Sequence, residues 1–231
     1  MGERFELVDC VPRALGERAA KGEILAGPLP LVEFFRLEDR FERLGPFGIA
    51  VRGQARSALL FSRVPIRQLD GARIAVTEET ATTVRLLQAL LQRRYNLTAS
   101  YERSRDPEAE ALLLIGDEAL RFRHTNTQYP FEIDLGFEWW LWQHLPFVFA
   151  VWAIRNDASA QEKRAIELAL TKSLGMNQHQ LEPIAQEYAS TLDIPAPDLQ
   201  MYLSSFIYRL GPMEEEAIGR FRALLDASHL L

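Results

Sequence analysis

The sequence predicts an α/β fold that closes on a helical tail. Three observations carry that expectation. Short apolar runs with strand character alternate with helix-period segments as far as Ile154. The run L-P-F-V-F-A-V-W at 145–152 is apolar on both faces, as a buried central strand requires. From Ser159 onward the periodicity is helical almost to the last residue. No repeat or low-complexity linker interrupts the pattern.

In order along the chain, residues 5–8 read as a short strand. Residues 12–22 read as a helix, with Pro12 near its first turn and Gly22 at its end. Residues 24–26 form a brief apolar run that Gly27, Pro28 and Pro30 break. A helix followed by a loop is expected over 31–43. Strands are expected at 47–51 and 58–62, then a brief helical turn at 66–69 before Gly71. Residues 73–77 read as a strand, and 80–95 as a helix with Val84, Leu87, Leu90 and Leu91 on one face. Strands follow at 100–102 and 111–115, the second closed by Gly116 and Asp117, with Asp117 read as a helix N-cap. Residues 139–144 read as helix and 147–154 as a strong strand. The tail supplies helices over 160–175, capped by Ser159, over 181–192, over 196–206 and over 213–228. Glu214, Glu215 and Glu216 read as the solvated first turn of the last one, favoured there by its dipole.

With 231 residues, 48% of them hydrophobic, the chain can bury one large core or two lobes of roughly 100 residues each. A formal charge of -6 argues against nucleic acid or an anionic membrane as the main partner, and leaves room for a local positive site. The single cysteine, Cys10, excludes an intrachain disulfide and reads as a small, partly buried residue. The charged first residues do not resemble a secretory signal, and 145–154 is too short to span a bilayer. A cytoplasmic protein, monomeric or homodimeric, is expected. His124, His144, His179 and His229 lack metal-ligand spacing, so no metal is expected. Trp139, Trp140, Trp142 and Trp152 read as packing or pocket wall, without the basic interleaving that single-stranded nucleic acid needs. No Gly-rich phosphate loop or nucleophile elbow is present.

The most informative stretch runs from Ser57 to Thr83. A strand feeds a proline-closed turn, and a second strand then empties into T-E-E-T-A-T-T at the start of a helix. Threonine is a poor helix former and a good cap, and three within Thr80–Thr83 exceed what one cap needs. Hydroxyls and free N–H groups at a helix N-terminus make a seat for a carboxylate. Thr80, Ala81, Thr82 and Thr83 are therefore candidate anion-binding residues. Gly116, at a strand end, permits close approach of backbone or ligand.

With the segments S-A-L-L-F-S-R-V-P at 57–65, T-E-E-T-A-T-T-V-R-L-L at 77–87 and A-L-L-L-I-G-D-E-A-L at 111–120, the chain resembles the chorismate dehydratases of the futalosine route to menaquinone. D-L-G-F-E-W at 134–139, L-P-F-V-F-A-V-W at 145–152 and Y-L-S-S-F-I-Y-R-L-G at 202–211 extend the likeness. The resemblance implies a two-lobed, periplasmic-binding-protein-like fold of type II. One lobe is expected from residues 1–64 plus 153–231 with the C-terminal helices, the other from 65–152. It implies conversion of chorismate to 3-[(1-carboxyvinyl)oxy]benzoate and water, with no cofactor. By position it puts Ser57 and the Thr80–Thr83 loop at the cleft, with Gly116, Pro146 and Phe147 nearby. The matched motifs contain no evident general base, so the catalytic residues are unassigned. The related lyase that forms 1,4-dihydroxy-6-naphthoate and a non-catalytic carboxylate-binding paralogue are the alternatives. Members of this family begin with a strand and loop reading S-Y-L-N, which supplies a cleft asparagine. They also often carry small hydroxyl residues where this chain has Leu29-Pro30-Leu31. The chain starts about where their second strand starts. The expectation is a first lobe without its central strand, and little dehydration of chorismate.

Overall fold

The computed structural model describes residues 5–231 apart from 79, 105, 107, 178 and 179, so His179 and residues 1–4 lie outside the described residues. Residues 5–8 take no strand pairing. Helix α1 (Pro12–Ala20) begins at its proline, whose missing N–H costs nothing in a first turn. The run broken by prolines is strand β1 (Ala26–Pro30). It tolerates Pro28 and Pro30 because it lies at the edge of its sheet and pairs with one neighbour only. Helix α2 is shorter than expected (Leu31–Arg36), and strand β2 is longer (Phe41–Val51) and carries two irregularities in register.

Strand β3 (Ala58–Ser62) leads through a 3₁₀ turn (Ile66–Gln68) to β4 (Ala72–Val76). The expected helix over 80–95 is α3 (Thr82–Ala89), continued by a π-helical segment (Leu90–Tyr95) that ends at left-handed Asn96. Then follow β5 (Ala99–Arg103), β6 (Ala111–Ile115), α4 (Gly116–Thr125), β7 (Phe131–Asp134), α5 (Leu135–Gln143) and β8 (Phe147–Arg155). The tail holds α6 (Ala160–Asn177), α7 (Leu181–Leu192), α8 (Ala196–Ser204), β9 (Phe206–Arg209) and α9 (Pro212–Ala227). Ser159 and Glu162 bond reciprocally across the first turn of α6, as a cap does. Glu214 is not solvated: it is buried and accepts the Gly211 N–H at 2.7 Å, closing the capping box of α9. Among the described residues no helix is long and apolar enough to cross a membrane.

The strands form two sheets. One has the order β1-β8-β2-β9, with antiparallel neighbours and β8 in an interior position. The other has the order β5-β4-β6-β3-β7, where β4 is parallel to β5 and β6, and β3 runs against β6 and β7. This hydrogen bonding differs from the expected division at 64/65 and 152/153. Strand β3 belongs to the five-stranded sheet, and the whole of β8 belongs to the four-stranded one. The chain therefore passes between sheets before Ser57, and again after α5.

Aromatic packing joins the two halves. The Trp139 ring of α5 meets Phe147 of β8 at 5.3 Å and Phe221 of α9 at 5.8 Å, both edge-on. Its indole N–H donates to the Pro146 carbonyl at 3.0 Å, so the large buried ring leaves no polar group unsatisfied. A smaller cluster of Leu59, Phe61, Leu114, Ala119 and Tyr129 seats α4 on the five-stranded sheet.

Candidate functional site

The pairings of β3 to β6 bring four chain ends to one end of the five-stranded sheet. They are the carboxyl ends of β4, β5 and β6 and the amino end of β3. Crevices beyond strand carboxyl ends are the usual ligand positions in open α/β sheets. Ser57, Thr80–Thr83 and Gly116 all lie at this end.

They form two groups. In the first, the Gly116 N–H donates to the Ser57 carbonyl at 2.8 Å. Gly116 has φ +57, which glycine adopts without strain, and this lets α4 start directly from β6. The N-cap position is Ile115, so Asp117 sits inside the first turn and does not cap it. The buried Ser57 hydroxyl donates to the phenol oxygen of Tyr202, from α8, at 3.0 Å. Burial pushes the Tyr202 phenol up from its ordinary pKa, while the Ser57 bond acts the other way.

The second group is the turn from β4 into α3. The Thr80 hydroxyl donates to the Thr77 carbonyl at 3.1 Å, and the Thr82 hydroxyl accepts the Val32 N–H of α2 at 3.3 Å. These two hydroxyls serve the backbone and do not converge on one point. Thr83 is buried. No side chain caps α3 at Ala81. The Thr77 hydroxyl oxygen is buried with no hydrogen-bond partner among the described residues. Pro146 and Phe147 lie elsewhere: Pro146 holds the Trp139 indole, and Phe147 is fully buried in the aromatic core.

A cavity of about 420 Å³ opens beside the turn, between α1 and α2 on one side and β4, α3 and β5 on the other. Thr80 lies beneath its floor with no surface open to water, and half-buried Ala81 forms part of its wall. Among the described residues, Arg13, Arg36, Arg85 and Arg103 line it, against Glu17 and Glu33. Arg13 pairs with Glu17 at 2.9 Å, and Arg36 pairs with Glu33 at 2.9 Å. Burial, the Arg36 charge and the more weakly acting Arg103 lower the pKa of Arg85, and Glu33 partly offsets them. The composition did not single out these arginines. One signal was available in the sequence: from Val84 to Leu91 only Arg85 and Gln88 are polar, and they stand three residues apart on one face. A smaller cavity, of about 230 Å³, lies between α4 and α8 and is lined by Arg56, Arg123, His124, Asp198 and Tyr202 among others.

Residues 1–227 match the family described as menaquinone biosynthesis. A chorismate dehydratase of Thermus thermophilus is 31% identical over 243 residues, covering 96% of this chain and 88% of that protein. Protein AF1704 from Archaeoglobus fulgidus superposes with a TM-score of 0.79 at 18% identity, over 97% of this chain and 86% of that one. The alkanesulfonate-binding protein SsuA of Xanthomonas axonopodis pv. citri, bound to MOPS, gives 0.68 at 13% identity, over 96% and 81%. These structures share the two-lobed, periplasmic-binding-protein-like fold.

Proposed function

The chain belongs to the menaquinone biosynthesis family, and from that premise we propose that it is a chorismate dehydratase. As a carbon–oxygen lyase it would convert chorismate to 3-[(1-carboxyvinyl)oxy]benzoate and water. The likeness to the Thermus enzyme supports the reaction. The observation that carries the site is the cavity beside the Thr80–Ala81 turn. It has room for a molecule of this size, and arginines outnumber glutamates on its wall.

Chorismate carries two carboxylates and a hydroxyl on a cyclohexadiene ring. In the reaction one ring C–H bond and the C–OH bond break, the proton and hydroxide leave together as water, and the ring becomes aromatic. Aromatisation supplies the driving force. The protein's task is to hold two negative charges, fix the ring and exclude competing water. In this reading the uncapped start of α3 and the Thr80–Thr83 turn receive one end of the substrate. Ser57 and Gly116 lie at the same end of the sheet but outside the lining of that cavity. One of the substrate's own carboxylates takes the ring proton and passes it to the departing hydroxide, so that water leaves and the carboxylate is regenerated, which accounts for a site without an evident protein base. Preorganised donors aimed at the leaving oxygen would stabilise charge as it develops.

The test is incubation of the purified chain with chorismate, followed by product chromatography and ultraviolet absorbance, alongside calorimetric titration. Saturable binding with formation of the benzoate product supports the assignment. Binding without product would remove the catalytic part, and neither binding nor product would overturn it altogether.

A further inference from the structure

We propose that Arg85 is the anchor for one carboxylate of a dianionic ligand, with Arg36 facing it across the same cavity. This rests on the dehydratase reading for the identity of the ligand and for its second carboxylate, though not for the carboxylate that meets Arg85. Arg85 occupies a costly position. It stands on α3, where every other residue from Thr82 to Leu91 except Gln88 is buried. A cation placed among apolar groups loses hydration and needs compensation. The other three arginines of the cavity have carboxylate partners: Arg13 pairs with Glu17, Arg36 with Glu33, and Arg103 with Glu78 at 3.9 Å. Arg85 instead donates to the neutral side-chain oxygen of Gln88 at 2.8 Å, and no carboxylate lies within ion-pair distance of it among the described residues.

Two further cations face it. Arg36 of α2 and Arg103 of β5 both act on Arg85 with like charge, and Glu33 of α2 opposes them. Among the described residues the cavity thus carries four arginines, three of them paired with Glu33, Glu17 and Glu78, which leaves one positive charge over in a chain whose formal net charge is -6. Such a local reversal of sign suits an anionic ligand with a carboxylate turned toward Arg85. A carboxylate bridging Arg85 and Arg36 would relieve their repulsion. It would also give Arg85 the planar, bidentate partner that a guanidinium prefers. Gln88 holds the guanidinium in position through one nitrogen and leaves its other N–H groups available.

The experiment titrates isophthalate, a rigid dicarboxylate, and chorismate into the wild type, Arg85→Gln, Arg85→Lys and Gln88→Leu. Urea unfolding of each variant shows whether it folds. Loss of a charge-assisted contact predicts a weakening of about tenfold or more in Arg85→Gln, with a partial return in Arg85→Lys. Gln88→Leu keeps the charge and should bind within about threefold of wild type; a purely structural role for the Arg85–Gln88 pair would make it fail as Arg85→Gln does. If Arg85→Gln does not fold, the comparison of Arg85→Lys with Gln88→Leu decides. Weaker binding only in the lysine variant supports the anchor, and weaker binding only in the leucine variant overturns it. Equal affinity of wild type and Arg85→Gln for both ligands overturns it whatever the activity. Arg85-dependent binding of isophthalate by a protein that neither binds nor dehydrates chorismate would keep the anchor and remove the dehydratase reading.

Discussion

At the scale of single residues, Tyr95 shows how the fold sets a titration. Its hydroxyl donates to the Glu138 carboxylate, and the Arg94 and Arg67 guanidinium groups lie over its ring at 5.2 and 5.3 Å. Burial, then the Glu138 bond and charge, push the phenol from its usual 10.0 up to about 12. The folded state thus favours the protonated phenol more than the unfolded chain does. Its contribution to stability is complete below pH 10 and is lost as pH rises from there toward about 12. The difference in urea midpoint between wild type and Tyr95→Phe should therefore be larger near neutrality than at about pH 11. A constant difference across that range would refute the coupling. The site residues show how far sequence reading reaches at this scale. The placement of Ser57, Thr80 and Gly116 at one end of the five-stranded sheet was legible because strand ends, hydroxyl runs and glycine leave local marks. The position of Arg85 was not, because it is defined by Arg36 and Arg103, which other elements bring to the same cavity.

At the scale of elements, one hydrogen bond ties the two halves of the molecule. Thr82 at the start of α3 accepts the N–H of Val32, at the start of α2, and both residues are buried. Thr82→Val keeps the shape and leaves that N–H without a partner, at a cost of about 1–3 kcal/mol. Urea unfolding should show this as a lower midpoint with an unchanged slope, and an unaltered midpoint would mean that the bond contributes nothing. The interior strands β6 and β8 and most helices were legible from apolar runs and periodicity. The edges were not. Strand β1 reads as a break because of Pro28 and Pro30, which only an edge position permits. Strands β7 and β9 each span four residues and lie at sheet edges with mixed burial. Their sequence gives too few alternations to tell them from turn or helix. Phe206 was accordingly read as helix, whereas it pairs with Val51.

At the scale of the whole molecule, the two-lobed fold followed from the family resemblance more than from local pattern. The strand-to-sheet assignment needed long-range pairing that no local pattern encodes. What the sequence left unsaid is how the passages between sheets are held. The Asp134 carboxylate, at the end of β7, accepts the N–H groups of Ala55 at 3.0 Å and Arg56 at 2.7 Å. It also accepts the Phe137 N–H at 3.0 Å as the N-cap of α5. One side chain therefore grips the first passage and the helix that leads to the second. At the second passage, the Pro146 carbonyl is held by the Trp139 indole of that same helix. Removing the carboxylate in Asp134→Ala should speed amide hydrogen exchange at Ala55, Arg56 and Phe137 by about tenfold or more, while strands β4 and β6 keep their protection. Uniform acceleration everywhere, or none, would show that the grip is not local. Both passages answer to α5, so they work like paired door hinges screwed to a single post. A swing of one lobe against the other would then turn about that post, and its stiffness would answer to Asp134, which lines neither cavity described above.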